Sequence, residues 1–344
     1  MRAIGFFEPL PIDDPKSLTD LDLPRPVPSG KDLLVEVKAV AVNPVDTKVR
    51  QSRTSQNGAP VVLGYDAAGI VAEAGPDVTS YKVGDEVYYA GDITRDGTNS
   101  EYHLIDERIV GRKPTSLSFA EAAAMPLTAI TAWEALFDRL KVKDPVPAGS
   151  NTLLIIGGSG GVGSIAVQLA RQLTNMTIIA TASRPESRSW VSELGAHHVL
   201  DHSKPMAPQI EALGLEAPGY VFSTTHTEQH VNDIAELIAP QGRFLLIDDP
   251  DNVSIGPFKL KAISIHWEMM FTRSMYQTTD MDEQRKLLNN VADLVDAGKL
   301  KTTLTEVIEP INADNLRVAH QKIESNKTIG KIVLAGFLGS SVAV

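Results

Sequence analysis

The chain reads as an α/β protein in which a doubly wound parallel sheet is joined to a β-rich unit. Three observations predict this. The apolar run Thr152-Leu-Leu-Ile-Ile156 ends in glycines at 157, 158, 160, 161 and 163, and a periodic stretch follows with Val162, Ile165, Ala166, Leu169 and Leu173 on one face. That is strand, tight turn, helix. From about 127 to 300, strand-like runs alternate with helical ones at the spacing of right-handed βαβ crossovers. Residues 1 to about 125 instead carry short Val-rich runs punctuated by Gly, Pro and Asp, the pattern of a mainly β unit.

In chain order, the β-rich stretch begins with Met1-Arg-Ala-Ile-Gly-Phe-Phe-Glu8, a short strand pattern rather than a signal peptide. Further strands are expected at Leu33–Val42, Gly69–Ala74 and Asp85–Ala90. Ser118 is placed to cap a helix through Ala124, and Pro126 opens another through Leu140. The parallel-sheet strands are expected at 153–157, 177–182, 198–200, 219–223, 243–247 and 262–266. Helices are expected at 161–173, 186–194, 228–239 and 281–297. The tail adds a strand at Thr303–Ile308, a helix at 312–324 and a strand at Lys331–Leu334, and is expected to return to the first unit. The division expected is therefore 1–126 with 301–344, and 127–300.

The glycine turn points to a dinucleotide. Gly158, Gly160 and Gly163 fit G-x-G-x-x-G between a strand and a helix. One glycine permits the turn, one lets the backbone approach a pyrophosphate, and one allows close helix–strand packing. Gly161, Val162 and Gly163 then offer N–H groups at a helix N-terminus. About twenty residues on, where an NAD site places an acid on the ribose, the chain has Ser183 and Arg184. A hydroxyl and a guanidinium suit a 2′-phosphate, so NADPH is the expected cofactor. The alternative makes Arg184 a solvated turn residue and gives the acidic role to Glu186.

Composition bounds the rest. With 344 residues, two domains are expected. A hydrophobic content of 43% and a charged content of 22% are ordinary for a globular protein. A net charge of −11 argues against nucleic acid or anionic membrane as a partner. No run is long enough to span a bilayer. Cysteine is absent, which removes disulfides, thiolate metal ligands and a cysteine nucleophile, and a cytoplasmic location is expected.

Several motifs in order then carry a family resemblance. They are Val42-Asn-Pro-Val-Asp-Thr-Lys48, Leu63-Gly-Tyr-Asp-Ala-Ala-Gly-Ile-Val71, Tyr81-Lys-Val-Gly-Asp-Glu-Val87, Pro126-Leu-Thr-Ala-Ile-Thr-Ala-Trp133, Gly157-Gly-Ser-Gly-Gly-Val-Gly163 and Leu194-Gly-Ala-His-His-Val-Leu-Asp201. With these the chain resembles the medium-chain dehydrogenase/reductases, and most their quinone oxidoreductase branch. The resemblance implies a GroES-like catalytic domain beside a Rossmann domain, an active-site cleft, and edge-to-edge pairing into a homodimer. Zinc-dependent members carry a cysteine near the Asn43 segment and Gly-His-Glu where this chain has Gly64-Tyr65-Asp66. No zinc is therefore expected, since zinc sites use Cys, His and carboxylate. His226-Thr-Glu-Gln-His230 has i, i+4 spacing but not the H-E-x-x-H order, and reads as a helix N-terminus.

Without a metal, reduction of an activated acceptor is easier than alcohol oxidation. A quinone or an α,β-unsaturated carbonyl needs only hydrogen-bond donors for the oxygen charge that develops. Asn43, Lys48, Tyr65 and Thr128 are the candidate donors, by their match to positions lining the family's cleft. Each also has a plainer role: Asn43 before Pro44 suits a turn, with Asp46 capping the helix; Lys48 suits solvent, Tyr65 packing, and Thr128 a helix start. Trp267, Met269, Met270 and Phe271 suit either a substrate pocket or a dimer interface. Lys331 resembles a family position that reaches back to the cofactor, and a surface lysine is the alternative. The function expected is an NADPH-dependent quinone or enone reductase. A specialised enoyl reductase, a zinc-type alcohol dehydrogenase and a low-turnover NADPH-binding sensor stay open.

Overall fold

In the computed structural model, which describes residues 1–337, the chain folds as two units. One comprises Met1–Leu127 and the chain from Phe271 onward, the other Thr128–Met270. The first unit starts with β1 (Arg2–Phe6), β2 (Thr19–Asp22), β3 (Asp32–Ala41), α1 (Pro44–Ser52), β4 (Val61–Val62), β5 (Ala67–Ala74), β6 (Glu86–Tyr89), β7 (Tyr102–Asp106), β8 (Val110–Arg112) and α2 (Phe119–Ala123). Helix α3 (Pro126–Trp133) runs across the boundary and continues as a π-helical turn, Glu134–Arg139. The second unit holds β9 (Ser150–Ile156), α4 (Gly161–Leu173), β10 (Thr177–Thr181), α5 (Pro185–Glu193), β11 (His198–Leu200), α6 (Ala207–Ala212), β12 (Pro218–Ser223), α7 (Thr227–Leu237), β13 (Arg243–Leu246) and β14 (Ser264–Trp267). The first unit then resumes with α8 (Thr272–Met275), α9 (Glu283–Asp296), β15 (Leu304–Ile308), α10 (Ala313–Glu324) and β16 (Lys331–Ala335).

The second unit is the Rossmann sheet. Its six strands lie in the order β11-β10-β9-β12-β13-β14, all parallel. The order reverses between β9 and β12, and in such sheets ligands bind beyond the strand ends at that switch. The strands are apolar along their length because helices cover both faces: Leu154, Ile179, Val221 and Phe244 are fully buried. Helix α4 has the predicted bounds, 161–173, because Gly160 ends the turn and the periodic apolar face starts at once.

The first unit carries the GroES-like β architecture. Strands β15-β16-β3-β5-β6-β8 form one sheet, with β7 also paired to β3, and β2-β1-β4 form a smaller one. The tail returns as expected, with β16 antiparallel to β3 at Val333↔Ala41 and Leu334↔Val40. It returns earlier than 301, however. Residues 271–300 pack with the first unit, because the apolar face of α9 (Leu287, Leu288, Val291, Ala292, Val295) lies against β8. Tyr88 donates its hydroxyl to the Leu288 carbonyl at 2.6 Å, and the Arg112 N–H meets Asn289 Oδ1 at 3.0 Å. Periodicity reveals that α9 has a buried face, not which core the face covers. Ser118 caps α2 as expected, accepting the Glu121 N–H. No helix among the described residues is long and apolar enough to cross a membrane.

Candidate active site

The glycines of the turn after β9 differ in what requires them. Gly157 sits at φ +80°, a left-handed conformation. A Cβ at Gly158 would lie 2.8 Å from the Ala180 Cβ, and one at Gly163 only 2.3 Å from the Gly157 carbonyl oxygen. These two let α4 and β10 approach the turn. Gly160 differs. A Cβ there would meet only the Gly157 oxygen, at 3.6 Å, and its φ of −72° suits any residue. Packing does not demand this glycine, whereas a diphosphate over Gly161, Val162 and Gly163 at the α4 N-terminus would. The turn fits the group implied by the motif.

The turn is fixed from β10. Thr181 Oγ1 accepts the Gly157 N–H at 3.0 Å, and its carbonyl accepts the Gly158 N–H at 3.1 Å. His202 Nδ1 lies 3.0 Å from the same hydroxyl, and burial lowers the affinity of this imidazole for a proton. Ser183 is exposed just past β10, and Arg184, half-buried, forms the N-cap of α5. Both therefore follow the strand where a ribose substituent would lie. Thr181 and His202 escaped the sequence reading, because neither shows in a local pattern.

In the first unit, three motif segments converge in a buried polar cluster. Asn43, Asp46 and Asp66 are each about 1% exposed or less, Tyr65 is fully buried, and Lys331 is 3% exposed. Asn43 sits at the N-cap of α1, and its backbone N–H donates to Asp46 Oδ2 at 2.7 Å. Its side-chain Nδ2 donates to Asp66 Oδ2 at 2.7 Å. Lys331 Nζ donates to the Val42 carbonyl at 3.0 Å, to Asp66 Oδ2 at 3.1 Å and to Asn43 Oδ1. The Leu127 N–H closes the other side of Asp66, meeting Oδ1 at 2.7 Å. Burial pushes the Asp66 carboxyl upward, opposed by Lys331 and these donors.

Two polar atoms at this cluster have no hydrogen-bond partner, Asp46 Oδ1 and the Tyr65 hydroxyl. Burial pushes Asp46 up to about 7, against the pull of the Asn43 N–H and Lys331. Burial also pushes Tyr65 above the usual phenol range; the Asp46 charge adds to this and Arg53 opposes it. The Phe271 ring packs edge-on against Tyr65, centroids 5.2 Å apart.

The expected site residues separate into those the cluster gathers and those it does not. Asn43 and Tyr65 belong to it. Lys331 belongs to it too, buried rather than on the surface, with Nζ donating to three oxygens of the first unit. Lys48 is exposed on α1, two residues past Asp46 and so on the other side of the helix. Thr128 is 2% exposed on α3 in the second unit. Trp267 and Met269 are exposed, whereas Met270 and Phe271 are buried. His226 is not on a helical face with His230, because it sits at φ +52° before α7. Asp46 read only as a cap and Asp66 only as part of a motif. The available signal was a carboxylate within the apolar stretch Val61–Val71, since buried charge needs a partner.

The donor set does not suit zinc. The chain has no cysteine, Tyr65 stands in place of the histidine that the resemblance leads one to expect, and both Asp66 oxygens already accept hydrogen bonds. Among the described residues no group of three or more His, Asp or Glu could hold a metal ion.

Comparisons with known proteins agree with the two-part architecture. The alcohol dehydrogenase GroES-like domain family matches residues 29–133, and the zinc-binding dehydrogenase family matches residues 194–334. A zinc-type alcohol dehydrogenase-like protein of Staphylococcus aureus (strain MSSA476) is 39% identical over 339 residues, covering 97% of this chain and 99% of its own. A solved structure from Rhizobium etli CFN 42, named only provisionally as a zinc-dependent alcohol dehydrogenase, is 62% identical, with a TM-score of 0.96 and 98% of each chain covered. The chloroplastic NADPH-dependent alkenal/one oxidoreductase of Arabidopsis thaliana is 35% identical over 182 residues, covering 50% of this chain and 45% of its own.

Proposed function

The chain belongs to the medium-chain dehydrogenase/reductase superfamily of oxidoreductases, and we propose that it is an NADPH-dependent reductase that delivers hydride to a quinone or an α,β-unsaturated carbonyl without a metal. The observation that carries this reading is the donor set around Asn43. Where zinc-dependent members bind the metal that eases alcohol deprotonation, this chain has Tyr65 and a carboxylate neutralised by Lys331. Such a site can still stabilise oxygen charge by hydrogen bonding. The Arabidopsis relative, which acts on alkenals and enones with NADPH, supports the acceptor class and the cofactor.

Bound NADPH would supply the hydride. The chain's own residues bind and orient. Gly161, Val162 and Gly163 take the diphosphate, and Ser183 and Arg184 take the 2′-phosphate. The Tyr65 hydroxyl, without a partner of its own, donates to the acceptor's developing oxyanion. Asn43, with its carbonyl and one N–H committed to Lys331 and Asp66, holds that corner rigid and has a second N–H to offer. Thr128 is a further donor in this reading. Lys48, exposed on α1, is left at most an outlying charge.

The reading is tested by mixing purified protein with NADPH and a panel of quinones, enones, aldehydes and primary alcohols, and following cofactor absorbance. Quinones or enones should oxidise NADPH. Efficient oxidation of simple alcohols in chelator-treated buffer would overturn the reading. Binding of NADPH with no turnover would favour a sensor.

We further propose a homodimer in the cytoplasm. Strand β14 pairs with β13 on one side and, among the described residues, is one of the sheet's two open edges, the other being β11. A monomer mass by light scattering at micromolar concentration would refute the dimer.

A further inference from the structure

We propose that Asp46 and Tyr65 form a proton-delivery pair, in which Tyr65 gives its hydroxyl proton to the acceptor and Asp46 replaces it. The inference rests on the reductase reading and names the proton source that the reading leaves open. Buried polar atoms without partners are rare, and each calls for an explanation. Among the several in this chain, Asp46 Oδ1 and the Tyr65 hydroxyl belong to one cluster, near enough for the Asp46 charge to act on Tyr65.

The rest of the cluster is closed. Asp66 accepts three donors on its two oxygens, the pattern of an ionised carboxylate, and Lys331 balances its charge. One cation cannot neutralise two buried carboxylates, so the second carboxyl keeps its proton. That carboxyl is Asp46, because its Oδ1 accepts no hydrogen bond, the Asn43 N–H goes to Oδ2, and the Gly64 N–H is the weakest of the influences on it. The proton then resides on Oδ1. Burial setting Asp46 near 7 agrees with this.

Tyr65 needs such a neighbour. Charge on its phenolate would be disfavoured by burial, by Asp92 and by Asp46 whenever that carboxyl is ionised, and eased only by the charge and hydrogen bond of Arg53. A proton arriving from Asp46 as the hydroxyl proton leaves avoids a standing phenolate and removes no compensating charge. Asp46 and Tyr65 do not hydrogen-bond one another in the structure. Catalytic hydrogen bonds commonly tighten only in the complex with substrate. The charged groups facing Asp46 are Lys331 and Asp66. From α10, His320 and Glu324 lie one turn further along α1, against Arg50.

The step balances. Hydride forms a C–H bond on the acceptor and NADPH is oxidised to NADP⁺. The acceptor oxygen or its enolate carbon takes the Tyr65 proton, Tyr65 takes the Asp46 proton, and Asp46 is reprotonated from water.

The first test needs neither cofactor nor acceptor. Infrared difference spectra between the wild type and Asp46→Asn should show a protonated-carboxyl band at pH 5.5 that halves near 7 and is gone by 8.5. Absence of the band at 5.5 overturns the pair. The second test is the pH profile of NADPH oxidation with an enone. The wild-type rate should fall about tenfold per unit well above pH 7. Asp46→Asn and Tyr65→Phe should each slow turnover and remove that limb, and together should be no slower than the worse of the two. Tyr65→Phe removes a buried hydroxyl whose one neighbouring donor is Arg53, so its profile decides the matter if Asp46→Asn does not fold. Turnover with the alkaline limb unchanged in both variants overturns the pair alone. No turnover with any acceptor overturns the reductase reading as well.

Discussion

Replacing Lys331 by Met keeps most of the side-chain length and removes the one cation in the cluster. Three acceptors then lose a donor: the Val42 carbonyl, Asn43 Oδ1 and Asp66 Oδ2. Asp66 keeps only the Asn43 amide and the Leu127 N–H. Breaking a buried ion pair on one side typically costs about 3–5 kcal/mol. At roughly 2–4 °C per kcal/mol for a unit of this size, the melting temperature should drop by roughly 6–20 °C. The loss should depend on pH in a set direction. A carboxyl without its cation has a folded pKa raised above its unfolded value, so its contribution is present at low pH and is lost as pH rises through the folded pKa. The deficit should therefore shrink toward pH 5.5 and be largest near 8. Adding Asp66→Asn should recover stability, giving a coupling of at least about 1 kcal/mol. Urea unfolding of cofactor-free protein measures all of this, since a ligand of the folded state would mask the effect. A single variant within about 1 kcal/mol of wild type, or strict additivity in the double variant, would refute the reasoning.

Other perturbations separate fold from binding. Gly163→Ala places a Cβ 2.3 Å from a backbone oxygen and should destabilise by about 1–3 kcal/mol, read by thermal melting. Gly160→Ala meets nothing closer than 3.6 Å, so it should melt within about 0.5 kcal/mol of wild type while weakening NADPH at least tenfold by calorimetry. Arg184→Ala should weaken NADPH by about 1.5–3 kcal/mol and leave NADH nearly unchanged, and equal wild-type affinity for the two cofactors would remove the basis for that expectation. The Asp46 carboxyl, raised from 3.8 to about 7, contributes stability at low pH that is lost as pH rises. Between pH 5.5 and 8.5 the wild type should lose about 2 kcal/mol that Asp46→Asn does not lose, by urea unfolding at each pH.

The glycine turn and α4 were legible because their requirements are steric and local. Close backbone approach admits only glycine at 163, and the apolar period begins at the turn. The parallel sheet was legible for a similar reason, since strands buried on both faces become continuous apolar runs between punctuation. The core of the candidate site was not legible at that level. Lys331 and Asp66 are 265 residues apart in the chain, and their pairing depends on β16 returning beside β3. No window of sequence contains that fact. Asn43 and Tyr65 came forward only through motif resemblance, which marks position without saying what each atom touches. It therefore missed that Asn43 binds Asp66 and Lys331. Helix α9 shows the same limit on a larger scale: its period exposes a buried face, while the core it covers is set by contacts such as that of Tyr88 with Leu288.

The most direct measurement of the central claim is the fate of the hydride. NADPH carrying deuterium at nicotinamide C4 is incubated with the protein and an enone, and the product is examined by NMR. Direct transfer to an activated acceptor predicts the label at the β-carbon of the saturated ketone, from one C4 face only, with the α-hydrogen drawn from solvent. Deuterium appearing in water, or at the carbonyl carbon as an alcohol, would contradict the account.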